Sequence, residues 1–142
     1  MAIYSLANRT SNGTIANACI EFIAASTDRP KIMEIGITIV NASASVFGLG
    51  RPQAIGITPT SPVTVLAEDT GDPVGTMTTA LAWGTGPTVP VNFFRRVALP
   101  ATAGAGIVWT FPRGLVISAS SSVVLWNITS TSVADIWVVV DE

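Results

Sequence analysis

At 142 residues and 14.7 kDa the chain has the length of one domain and can bury a core without disulfide or metal staples. Its net charge of −2, with one lysine (Lys31) and six scattered arginines, excludes the basic surface that nucleic-acid binding requires. Apolar residues make up 49% and charged residues only 11%, less than half the roughly 25% charged share of ordinary soluble domains. A monomer would have to cover that apolar content with Ser, Thr, Asn and Gly alone, so burial of strand faces between subunits, and hence an oligomer, is expected.

The first residues, Met1 to Arg9, have neither the basic start nor the apolar run of a secretory signal, and no stretch approaches the length of a membrane-spanning helix. The expectation is a chain that is made in a cytoplasm and either stays soluble or joins an assembly there, with no membrane partner. Residues 1–13 read as an N-terminal arm or edge strand and 14–142 as a single β-sandwich domain. Without a secretory route, the sequons at Asn8, Asn12, Asn41 and Asn127 are chance matches in a chain rich in Asn, Ser and Thr.

Twelve glycines and nine prolines are spread so evenly that no segment reads as an amphipathic helix. Ala18, Ile20, Phe22 and Ala24 alternate with Cys19 and Glu21, and Met33, Ile35, Ile37 and Ile39 alternate with Glu34, Gly36 and Thr38. Both patterns predict half-buried strands. Cys19 has no disulfide partner and lies in the apolar stretch 16–25, where a buried structural thiol is expected.

Gly48 to Pro52 reads as a tight turn, followed by a strand near 53–58 and a long loop from Thr58 to Gly75. Strands follow at 76–83 and 91–99, and then at 106–111, 115–118, 123–129 and 136–140, each bounded by Gly, Pro or Ser. Eight or nine short strands separated by turn signals predict an all-β, jelly-roll-like antiparallel β-sandwich with Greek-key connections.

Little in the sequence is equipped for catalysis. The chain has no histidine, which removes the commonest general base and metal ligand together with every Ser-His and Cys-His nucleophile. Asp69-Thr70-Gly71 matches the Asp-Thr-Gly of aspartic proteases, but that chemistry needs a buried strand before the aspartate, and here Glu68 and Asp72 flank the motif as in an exposed turn. Glu68, Asp69 and Asp72 offer oxygen ligands to a hard cation in a spacing that fits no defined calcium loop; a polar turn is the simpler reading. Trp83, Trp109, Trp126 and Trp137 could stack a sugar, yet each lies within a strand pattern beside Val or Leu, which favours core or interface packing. No catalytic residue, metal site or cofactor is expected.

The segments Gly50-Arg51-Pro52-Gln53-Ala54-Ile55-Gly56, Leu81-Ala82-Trp83-Gly84-Thr85-Gly86-Pro87 and Phe93-Phe94-Arg95-Arg96-Val97-Ala98-Leu99-Pro100 resemble small jelly-roll proteins encoded in tailed-phage structural gene clusters. Trp109 to Ile117 and Ser121 to Asn127 are similar to the same group, and the likeness covers about residues 14–141. It marks fold and packing, not activity. The resemblance implies a virion component assembled in the bacterial host cytoplasm. One form is a capsid cement or decoration protein sitting as trimers on the major capsid protein; the other is a tail or tail-fibre module that binds a receptor or glycan. Arginine is enriched at protein contacts, so Arg95, Arg96 and Arg113 are candidate interface residues, with solvation of an exposed face as the alternative. Arg95 and Arg96, adjacent on a strand, would point to opposite faces.

Overall fold

The computed structural model describes residues 2–10, 17–129 and 132–142; the expected domain boundary at 13/14 and the Asn12 sequon lie outside them. The described residues form thirteen strands and no helix. Eight carry the architecture: β1 (Ile3–Arg9), β2 (Asn17–Ile23), β3 (Lys31–Ile39), β4 (Ser45–Gly50), β10 (Arg95–Leu99), β11 (Gly106–Val116), β12 (Ser122–Asn127) and β13 (Ala134–Asp141). Pairing is antiparallel and nested, with β1 on β13, β2 on β12, β3 on β11 and β4 on β10. The chain is thus a long double ribbon rolled into two facing sheets, β11-β3-β13-β1 and β10-β4-β12-β2, which is the jelly roll.

Alternation explains the core. Ile35, Ile37 and Ile39 of β3 and Ile136, Val138 and Val140 of β13 point inward from one sheet, to meet Phe22, Phe47, Leu49, Val123 and Leu125 from the other. The register between β13 and β3 passes from Val139 opposite Glu34 to Val140 opposite Ile32, so Met33 is the extra residue of a bulge. That slip corrects the alternation expected from sequence: fully buried Ile32, not half-buried Met33, continues the core row. β1 lies between β13, along its full length, and the two-residue strand β7 (Leu66–Ala67).

The other differences concern glycine and proline. Gly48 to Pro52 is not simply a turn, because Ser45–Gly50 is β4, an interior strand. Its glycines face outward under the β4–β10 connection: a Cβ at Gly48 would lie 2.7 Å from Phe93 Cδ1, so the glycine reflects close packing by another segment. Pro112 to Gly114 likewise does not end a strand. It forms a bulge inside β11 between Thr110 and Leu115, where Gly114 takes the positive φ of 70°.

The connection 51–94 is folded in its own right. It holds the hairpin of β5 (Ile57–Pro59) and β9 (Trp83–Thr85), adds β8 (Thr78–Ala80) and β6 (Val63–Thr64) to the β2 edge, and lays β7 on β1. It also covers the outer face of the second sheet, so all six residues of β12 are buried. Glu21, expected on a solvent-facing side, is fully buried beneath it.

Candidate interaction surfaces

The nested topology places β10 and β11, the edges of the two sheets, on one lateral side of the sandwich, and β7 and β6 on the other. Edge strands present unpaired backbone groups and are where sheets meet partners. The sequence loads these two sides differently. Between Pro73 and Ala134 there is no acidic residue at all, so β10 and β11 themselves carry arginines and no carboxylate.

On that side the structure places all three arginines singled out from sequence, and adds Arg51. Arg95 and Arg96 are exposed on β10, and Arg113 is exposed in the β11 bulge. Arg51 follows β4 and donates from Nη2 to the Val116 carbonyl of β11 at 3.2 Å. Arg95 and Arg96 do take different faces: Arg95 lies 5.4 Å from the Phe111 ring centre across the open edge, and Arg96 5.9 Å from Phe93 on the outer side. Arg51 sits 5.5 Å from Phe94. Stacking on a ring fixes a guanidinium while leaving donors outward. None of the four arginines forms an ion pair among the described residues; the two ion pairs there are Arg9 with Asp135 and Lys31 with Asp141. Arg51 escaped the sequence reading because only the pairing of β4 with β10 and the approach to Val116 bring it to this edge.

The opposite side is acidic. Glu68 and Asp69 are exposed just after β7, and Asp69 Oδ1 accepts from the Gly71 amide at 2.8 Å, closing a turn at the surface. The Asp-Thr-Gly segment is therefore an exposed turn and not the end of a buried strand. Beside it a cleft of about 420 Å³ is lined by Tyr4, Asp28, Asp72, Val74, Thr76 and Glu142, among others. The Glu142 side chain accepts from the amides of Thr76 and Met77, at 2.7 Å each, and so holds the cleft wall. Burial, then the charges of Glu142 and Asp72, push the Tyr4 phenol above its ordinary 10.0. Among the described residues no three acidic, Cys or His side chains converge as a metal site.

The tryptophans do not share a platform. Trp109 is in the inter-sheet core, and Trp137 is half-buried, donating to Glu34 at 3.0 Å. Trp126 is buried and outside that core cluster, its Nε1 without an acceptor among the described residues, and Trp83 donates to Glu21 at 2.6 Å. Burial raises the Cys19 thiol to about 12, an unreactive value.

No family model and no curated protein matches the chain. Among solved structures, the coat protein of Tobacco streak virus is similar over 99% of this chain and 86% of its own, at 14% identity and a TM-score of 0.40. A likeness of that size bears on neither family nor function.

Proposed function

We propose that the chain is a non-enzymatic virion structural protein: a capsid cement or decoration protein of a tailed bacteriophage that trimerises and reinforces the capsid lattice. The observation that carries this reading is the state of the two lateral edges. Large apolar side chains stand in water there, with Val91 at 79% and Phe94 at 39% exposure on one side and Leu66 at 64% and Val74 at 82% on the other. Exposed apolar groups rimmed by charge mark protein contacts, and a chain with 11% charged residues has little else to solvate them. The jelly roll hosts lectins and enzymes as well as capsid proteins, so the fold by itself does not select the role. The resemblance of the Gly50–Gly56, Leu81–Pro87 and Phe93–Pro100 segments to tailed-phage proteins supplies the setting.

The test is binding to capsids of the phage whose genome encodes the chain, prepared without this protein. Saturable binding in multiples of three, with a raised temperature of capsid disruption, is the expected result. Localisation to the tail or its fibres would replace the cement role with the tail-module role.

A further inference from the structure

The two lateral edges are complementary to each other. One presents Arg51, Arg95, Arg96 and Arg113 around Phe94 and Val91; the other presents Glu68, Asp69 and Asp72 around Leu66 and Val74, beside the acidic cleft. We propose that copies of this chain associate head to tail, the arginine–phenylalanine edge of one docking on the acidic edge and cleft of the next. This deepens the assembly reading above and rests on it, naming which surface meets which.

Three features favour a second copy as the occupant. First, each edge pairs charge of one sign with exposed aliphatic or aromatic area, and the signs are opposite, so contact buries apolar surface while placing each arginine near a carboxylate. A like-on-like contact across β10 would instead oppose arginines to arginines. Second, the basic edge is pre-organised: three of the four guanidiniums are stacked on rings, so less side-chain freedom is lost on docking than for free lysines. The cleft provides the matching receptor, since the carboxylates of Asp28, Asp72 and Glu142 and the face of Tyr4 suit a guanidinium.

Third, both surfaces lie toward the same end of the sandwich. Arg51 follows β4, Arg95 opens β10 and Arg113 is near the end of β11, while Glu68 to Asp72 and Glu142 belong to the 51–94 connection and the end of β13. Joined copies therefore stand side by side. A heterologous contact of this kind closes into a ring when its rotation divides a full turn, and a trimer is the 120° case.

The experiment uses the full chain in sedimentation velocity, with Arg95→Glu/Arg96→Glu, Glu68→Lys/Asp72→Lys, Glu68→Lys alone and an equimolar mixture of the two double variants, each checked for native circular dichroism. The expected result is that each double variant alone associates at least tenfold more weakly than wild type, Glu68→Lys weakens association in the same direction, and the mixture forms one-to-one pairs of the two variants through their unaltered faces. Raising salt from 0.1 to 1 M, which shortens the screening length from about 10 to about 3 Å, should weaken wild-type association. If wild type associates and Glu68→Lys/Asp72→Lys does so equally well, the head-to-tail contact is overturned while the assembly reading stands. If wild type is monomeric throughout, both fall. If a single-stranded oligonucleotide binds wild type and Arg95→Glu/Arg96→Glu abolishes that binding without affecting self-association, the basic edge belongs to nucleic acid and the inference fails.

Discussion

Replacing Glu21 tests how the 51–94 connection is held on the sandwich. Its carboxyl oxygens accept from Ser122 Oγ at 2.5 Å, Trp83 Nε1 at 2.6 Å and the Gly56 amide at 3.1 Å, tying β12, β9 and the segment before β5 to β2. The side chain is fully buried, so Glu21→Ala leaves donors facing a void. Each orphaned buried donor costs about 1–3 kcal/mol; with the Ser122 donor buried and the Gly56 and Trp83 donors half-buried, the three together lose about 3–5 kcal/mol. That is a large part of the roughly 5–15 kcal/mol that holds a domain together. With a urea slope of about 2 kcal/mol per molar, the unfolding midpoint should fall by about 2 M. Glu21→Gln keeps the shape but turns an amide donor toward donors, for a loss of about 1–3 kcal/mol. Midpoints for both variants within about 0.2 M of wild type would refute the account of Glu21 as the anchor.

Gly48→Ala should destabilise by about 1–3 kcal/mol, because the methyl must displace Phe93 and Ile128, and improved strand propensity will not offset an overpacked contact; thermal unfolding measures it. Tyr4, the one tyrosine of the chain, should ionise above pH 10.0 in the folded protein, and Glu142→Gln should lower its titration midpoint. Since its folded value is raised, the associated stability is full below pH 10.0 and is lost as pH rises through the folded value; ultraviolet titration at 295 nm follows the phenolate. The Arg9 hydrogen bonds, and then its charge, hold Asp135 below its ordinary carboxylate value, so that pair contributes stability above pH 3.8 and loses it as pH falls through the folded value. Cys19 should resist a thiol reagent at pH 8 until the protein unfolds.

The parts of the fold that follow from period two were legible in the sequence. Ile35, Ile37 and Ile39 and the row Ile136, Val138, Val140 alternate because one face of each strand meets the other sheet. What was not legible depends on segments distant in sequence. The glycines of β4 resemble a turn until Phe93 is seen packing over them, and Pro112-Arg113-Gly114 resembles a break until β3 is seen pairing on both sides of it. Glu21 reads as solvent-facing by alternation and is buried because the 51–94 connection folds back over it. The arginines were visible as residue types. Their gathering with Arg51 on one lateral edge, opposite the 68–72 turn, follows only from the nested strand order.

If the two lateral edges are contact surfaces, the purified chain assembles, and its molar mass in solution reports that. Light scattering across micromolar concentrations should give a mass well above the 14.7 kDa of one chain, with three copies favoured. A mass of one chain at every concentration would contradict it.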